Sequence, residues 1–458
     1  MLDSPTSPKR FVHITNYYHN ASGGVRTNYD MLLTEAERRG RYHTLIVPGE
    51  HSEIIETGRF TRIYKIAARP APLFDRRYRM ILPNQYLFHG TAIRDVLLKE
   101  APSAIEVYDN YSLTFLAGMI RKGYFRRLGR PLLVYFTGER FDTIFASFVV
   151  SGKFGKWFSR TAMGNFNLAM FDYFIANSPF VAEELFDSVN RQMRDRISNY
   201  ALDKCWEFFR NSLSDFSSRV AICPRGVDTA VFSPHLKSRE ARARIARELG
   251  FPESAFLLIS STRLSREKNI RLLPQITKIL QYDKRFDFRL ILAGDGPERH
   301  RLENESAALA PGRIAFIGHQ KRKRLAEFYA NADGFIHPNP REPFGNVGLE
   351  AMASGLSVVV PNAGGTLTYA NEENAFLAPP TAEAFASRIL ELAGNPEIAE
   401  RKRKAALKTA ADNNVEAAFG RLFHTYDKMY SEFYEPLKTR DAAFIRHSTE
   451  AAIRTTGN

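Results

Sequence analysis

The chain has 458 residues, 44% hydrophobic and 25% charged, and its 64 Lys and Arg exceed its 50 Asp and Glu for a formal net charge of +14. Such a length implies two core-forming domains rather than one, and the surplus of cations points to an anionic partner: nucleotide, nucleic acid or acidic membrane surface. Only two cysteines, Cys205 and Cys223, argue against a disulfide framework or zinc site; the MLDSPTSPKR start lacks a signal peptide, and no apolar run approaches the roughly 18 residues that span a bilayer.

Residues 10–15, RFVHIT, read as a buried strand, followed by a polar loop ending in Gly23–Gly24 and a helix from about Val25 to Arg39. Strand, glycine loop and helix open many nucleotide-binding domains, because glycine lets the backbone approach a ligand. The G-x-G-x-x-G fingerprint is absent, so on its own the glycine pair reads as a plain turn. His13, on the strand, is either a cleft group or a structural one. A second strand is expected at YHTLIVPG, 42–49. Residues 59–79 then carry seven cations against Asp75 alone. The stretch AIEVYDNYS (104–112) brings Asp109, Asn110 and Tyr111 to a sheet edge, where they are acceptor contacts or merely the turn after the strand.

The strand PLLVYF (131–136) runs into Thr137, Gly138, Glu139 and Arg140. Around it, residues 119–160 interleave cations such as Arg121, Lys122, Arg126, Arg127, Arg130 and Arg140 with Tyr124, Phe145, Phe148, Trp157 and Phe158. That mixture suits an anionic lipid surface, or a core with solvated cations around it. No nucleic-acid motif accompanies it, and no nucleic-acid partner is expected. DYFIANSPFVAEELF (172–186) reads as strand, turn and helix, and residues 187–218 as a further helical element.

A second domain is expected to begin near Arg219, with RVAICPRG as its first strand. AFLLISSTRL (255–264) is its next clear strand, and Arg263 and Lys268 flank the loop that follows. One offers a planar fork and the other a point charge, a pair able to hold a diphosphate and to stabilise charge growing on it. RLILAGDGPE and IAFIGH supply further strand-and-turn units.

The chain is organised around DGFIHPNPREPFGNVGLEAMASG, 333–355: a short strand, an irregular loop, and a helix starting near Gly345–Asn346. Glu342 lies in the loop and Glu350 about a turn into the helix, so both carboxylates can face what lies above the helix N-terminus. Free N–H groups and the helix dipole favour phosphate there. The carboxylates fit as acceptors for sugar or ribose hydroxyls beside it.

HPNPREPFGNVGLEAMASGLSVVV resembles the donor-site signature of retaining glycosyltransferases of family four. STRLSREKN, LILAGDGPE, FIGH, ICPRGVD and ASGGVRTNY extend the resemblance in order over most of residues 10–395. It implies the GT-B fold, an α/β architecture of two Rossmann-like domains facing across a cleft. Residues 1–218 would bind acceptor and 219–414 the nucleotide sugar, with a helix at 415–437 crossing back and a flexible tail at 438–458. Glu342, Arg263 and Lys268 are the expected catalytic residues. Donor contacts are expected from Gly23, Gly24, Arg263, Lys268, Glu342, Phe344, Gly345, Asn346, Val347 and Glu350, with Asn362, Gly364 and Gly365 bringing amides nearby. Acceptor contacts are expected from His13, Asp109, Asn110, Tyr111, Thr137 and Glu139.

Many relatives carry a histidine where this chain has Thr137, so no catalytic histidine is carried over: Glu139 or Asp142 assists, or the leaving phosphate itself takes the acceptor's proton. The expected reaction moves a hexose from a nucleoside-diphosphate sugar to a membrane glycolipid or cell-envelope polysaccharide precursor, with no metal or other cofactor. The expected setting is the cytoplasm, with peripheral contact at the membrane's inner face. A sugar-nucleotide epimerase or an inactive sugar-nucleotide-binding scaffold are the alternatives.

Overall fold

The computed structural model describes residues 9–19, 23–71, 79–143 and 153–455, with side chains through Glu435 apart from Lys153 and Phe154. Arg76 and Arg77 of the first cation run and Phe145 and Phe148 of the second lie outside the described residues. Short, mostly apolar strands alternate with helices along the chain, and strands buried on both faces pair in parallel under covering helices. Two such sheets form.

The first contains β1 (Arg10–Thr15), β2 (Tyr42–Gly49), β3 (Glu53–Glu56), β4 (Thr61–Ala67), β7 (Ala104–Tyr108), β8 (Leu132–Thr137), β9 (Tyr173–Ala176) and β10 (Val220–Ile222). Its order is β10-β9-β8-β7-β1-β2-β4-β3, parallel except for the β3 edge; β5 (Arg69–Pro70) and β6 (Arg79–Met80) make a separate ribbon. The second contains β11 (Phe256–Ser261), β12 (Phe288–Ala293), β13 (Ile314–Gly318), β14 (Gly334–Ile336), β15 (Ser357–Pro361) and β16 (Phe376–Ala378), in the all-parallel order β13-β12-β11-β14-β15-β16.

One strand corrects the sequence reading. Val220–Ile222 does not open the second domain: Val220 pairs with Phe174 and Ile222 with Ala176, and the Cys223 amide donates to the Ala176 carbonyl at 2.8 Å. A three-residue apolar run carries no signal for which sheet it will extend. The chain therefore crosses between domains after Ile222. It crosses back beside the same point, where the Val227 amide donates to the Asn413 carbonyl at 2.9 Å and Val415 returns a bond to Val227 at 3.0 Å. Gly226 permits this approach, since a Cβ there would stand 2.7 Å from the Asn414 carbonyl oxygen.

The Val415–Thr455 helix then lies against the first domain. Phe419, Phe423, Tyr426 and Met429 join that domain's core. Asp427 holds Arg41 at 2.8 Å, and Tyr434 donates to the Ser103 carbonyl at 2.9 Å. Over residues 438–455, the expected tail, the backbone continues as helix.

Each sheet has a point where the strand order reverses: between β1 and β7 in the first, between β11 and β14 in the second. Loops leaving the carboxyl ends of such neighbours diverge to opposite faces and open a crevice. In the second domain the two diverging loops are those that carry Arg263 and Lys268, and His337 and Glu342. Topology thus brings together residues more than seventy positions apart.

Candidate active site

The two crevices face each other across a cleft of about 1320 Å³. Its second-domain wall includes Arg263, Lys268, His337, the 342–347 loop and Glu350. Its first-domain wall includes Gly24, Tyr108, Gly138, Glu139 and Asn177, with Arg225 on the crossover between them. The walls touch where Ser178, at the head of the Pro179–Val189 helix, donates its hydroxyl to the Pro343 carbonyl at 2.5 Å.

Glu342 is the hub of the second-domain wall. Lys268 Nζ lies 3.0 and 3.2 Å from its two carboxylate oxygens. Asn339 Nδ2 donates to Oε2 at 2.8 Å, and His337 Nε2 stands 3.1 Å from the same oxygen. Burial opposes ionisation here, but the Lys268 ammonium, helped by His337, holds the carboxyl well below the usual carboxylate range. The pairing in turn keeps Lys268 charged against its own burial, with Glu139 across the cleft as a second attraction. An ammonium has three donors, and two are spent on Glu342. The third has no acceptor among the described residues. Asn269 ties the two loops together by donating to the Pro338 carbonyl at 2.9 Å.

Arg263, exposed at the cleft, makes no ion pair among the described residues. Beside it begins the Asn346–Ala353 helix, capped by Gly345 in the left-handed region at φ +79° and stopped at Gly355. A Cβ on Gly345 would come within 2.8 Å of Thr366 Cγ2, so glycine is required for both conformation and space. Gly345, Asn346 and Val347 line the cleft with the positive end of this helix. Phe344 contributes little more than its backbone, because its ring is buried against Tyr369, centroids 5.3 Å apart.

Glu350, one turn in, is pushed up to about 7 by burial, with Arg322 opposing and Asp228 reinforcing. Arg322 pairs with Asp228 at 3.3 Å, so the far end of the pocket holds two carboxylates around one guanidinium. Gly365 does not offer its amide to the cleft: it donates to the Glu342 carbonyl at 2.7 Å and buttresses the motif loop from beneath.

In the first domain the expected acceptor residues separate. Glu139 reaches into the cleft; enclosure by both domains raises its carboxyl pKa, against the pull of Lys268 and Arg225. Gly24 lines the same wall in the first turn of the Gly23–Arg38 helix, whose N-terminus also faces the cleft.

The others point elsewhere. His13 is fully buried, its Nδ1 2.9 Å from Glu106 and its Nε2 2.8 Å from His43, beneath Tyr29 and Tyr426. Asp109 caps the Leu113–Arg121 helix, accepting from the Leu113 amide at 2.6 Å, and burial lifts its carboxyl to about 6. Asn110 accepts from the Tyr135 hydroxyl in the core, and Tyr111 packs edge-on to Phe141. Thr137 is buried and donates to the Glu139 carbonyl at 2.8 Å.

Sequence reading missed Arg225 and Tyr108. The Arg225 guanidinium stands beside the Tyr108 hydroxyl, an added Cβ on Gly138 would lie 3.0 Å from its Nη2, and Glu139 feels its charge. The ICPRGVD motif was the available signal, but a motif cannot show that its arginine turns back over the first domain.

Residues 241–409 match the family model described as glycosyl transferases group 1. Over 404 residues the chain is 28% identical to a GDP-mannose-dependent alpha-(1-6)-phosphatidylinositol dimannoside mannosyltransferase of Mycobacterium tuberculosis, covering 88% of this chain and 91% of that one. Over 158 residues it is 30% identical to an alpha-monoglucosyldiacylglycerol synthase of Streptococcus pneumoniae, covering 33% and 35%. Among solved structures it resembles sucrose-phosphate synthase from Thermosynechococcus elongatus, with a TM-score of 0.66 at 20% identity over 93% of this chain and all of that one.

Proposed function

We propose, from a chain that is a glycosyltransferase of group 1 type with the GT-B fold, that it moves a hexose from a nucleoside-diphosphate sugar to a membrane glycolipid with retention of anomeric configuration. The observation that carries the donor half is the Lys268–Glu342 pair beside Arg263 and the Asn346–Ala353 helix N-terminus, with Glu350 one turn deeper. The phosphatidylinositol dimannoside mannosyltransferase, similar along most of both chains, supports a lipid-linked acceptor and makes GDP-mannose the first donor to try.

In this reading the diphosphate lies over the helix N-terminus, bonded by Arg263 and by the free donor of Lys268. Glu350 accepts from the ribose hydroxyls. Glu342, fixed as an anion by its three partners, accepts from hydroxyls of the transferred sugar. The bond from the anomeric carbon to the phosphate oxygen breaks, and the acceptor oxygen bonds to that carbon on the same face. The acceptor's proton passes to the departing phosphate oxygen. Thr137, turned into its own loop, holds no part of this.

Arg225 and Glu139, presented to the cleft by the crossover and the first domain, orient the acceptor: Glu139 accepts from a neighbouring hydroxyl of the acceptor, leaving the attacking O–H free to face the departing phosphate, and Arg225 offsets charge gathering between the domains. The charge on the leaving group is met by cations of the chain itself, so the reaction is read as independent of a divalent ion.

A transfer assay tests this. Purified protein is given GDP-mannose, UDP-glucose and a lipid extract in detergent, with the anomeric configuration of the product read by NMR. An inverted product, or free interconverted sugar nucleotide without transfer, would sink the reading.

A further inference from the structure

Several of the exposed apolar side chains of the first domain gather at one place. On the flank of the Leu113–Arg121 helix, outside the cleft, a groove of about 390 Å³ is walled by Leu87, Phe115, Met119, Tyr124 and Phe208. Its rim stands out of the protein: Phe115 is 52% exposed, Tyr124 63% and Phe208 60%. Phe88, next to Leu87 in the chain, is 66% exposed. Single aromatics at a surface are ordinary, whereas a contiguous set around one groove marks a place where something docks.

The groove's charge says what. Lys122 forms part of the wall, its ammonium 4.3 Å from the centre of the Phe208 ring and donating to the Phe208 carbonyl at 2.8 Å. Arg126 and Arg127, on the turn that follows, are exposed and pair with no carboxylate among the described residues. Glu207, the acid next to Phe208, is already held by Lys204 at 2.7 Å. Other cations of the 119–160 run are spent inside the protein, Arg121 and Arg130 on Asp172 and Arg140 on Asp142 and Glu183. Positive charge without a carboxylate partner among the described residues thus remains on Lys122 in the groove wall and on Arg126 and Arg127 just after it.

We infer that this face docks on an anionic phospholipid bilayer. Phe115, Tyr124 and Phe208 enter the boundary between headgroups and acyl chains, while Lys122, Arg126 and Arg127 stay among the lipid phosphates. A bilayer supplies both halves of the match at once, apolar depth under the rings and negative charge around them. Because the face lies outside the cleft, docking leaves the reaction site open. The purpose of the docking rests on the glycolipid reading, but its existence does not.

The test is co-sedimentation of the full chain with vesicles of phosphatidylcholine alone and of phosphatidylcholine containing phosphatidylglycerol. Binding is expected to rise with the phosphatidylglycerol fraction and to weaken with salt. It should fall on the order of tenfold or more in Arg126→Glu/Arg127→Glu and in Phe115→Ser/Tyr124→Ser/Phe208→Ser. A thermal shift with nucleotide, kept in both variants, shows that they are folded. Parent-like vesicle binding by both variants overturns the inference. So does a parent that ignores anionic vesicles and forms a dimer that the same substitutions dissolve. If vesicle binding behaves as expected but the parent transfers no sugar, the glycolipid reading fails and the docking surface stands.

Discussion

Replacing Lys268 by alanine separates the two things this side chain does. It bonds both oxygens of Glu342, whose side chain is 13% exposed, and it reaches the place assigned to the diphosphate. Losing one preorganised electrostatic contact to a leaving group costs about 10²- to 10³-fold in transfer rate. The same change strands the Glu342 carboxylate with only His337 and Asn339 beside it. A charged hydrogen bond of this kind contributes about 2 kcal/mol, and on a domain of this size that lowers the melting temperature by about 4–8 °C.

The double variant Lys268→Ala/Glu342→Gln discards the stranded charge as well as its partner. It should recover most of the lost melting temperature while transfer stays as slow as in the single variant or slower. Calorimetry and single-turnover kinetics on the parent, both singles and the double give the complete cycle. Transfer by Lys268→Ala within threefold of the parent, or a double variant less stable than the single, would refute the reasoning.

Glu350 predicts a pH effect with a definite sign. Burial raises its pKa to about 7 in the native state, so the group favours folding most below its unfolded value near 4.5, and that contribution is lost as pH rises towards 7 and through it. Nucleotide binding should move the other way, because the ionised carboxylate is the better acceptor for ribose. Affinity for GDP or UDP, by calorimetry from pH 5.5 to 8.5, is expected to tighten through about 7 in the parent and to lose that step in Glu350→Gln; a step of equal size in both would assign it to the ligand's own phosphate.

Gly345→Ala forces a left-handed residue and a Cβ against Thr366. It should cost on the order of 1–3 kcal/mol and weaken nucleotide binding, as a thermal-shift titration can show. Arg225→Gln is expected to lower transfer at least tenfold while leaving GDP affinity within twofold, and equal losses in both would place it on the donor instead. Transfer should persist in excess EDTA, measured as initial rate.

Much of both domains was legible because the signals are local. Strand runs such as RFVHIT and YHTLIVPG coincide with β1 and β2 to the residue, and the Gly345–Asn346 start of the motif helix is where the chain leaves a left-handed glycine. Sequence reading sends Lys268 to the diphosphate and Glu342 to the sugar of one donor site; that the two form an ion pair comes from the structure alone.

What failed was side-chain direction and strand partnership. His13 lies inside β1, two residues short of its carboxyl end, where both faces of the sheet are covered, so its ring goes to Glu106 and His43 instead of a ligand. Asp109 and Thr137 sit at strand ends, as expected, but their own backbones claim them as cap and turn. The sheet that Val220–Ile222 joins depends on which edge is free when the chain arrives. The sequence alone determined the alternation of elements, the donor motif and its charge; only tertiary structure decided which strand edges met, which cations were already neutralised, and that Arg225 and Glu139 converge on the cleft. Local patterns record short-range sterics and polarity. Proximity between residues a hundred positions apart is decided by the packing of whole sheets.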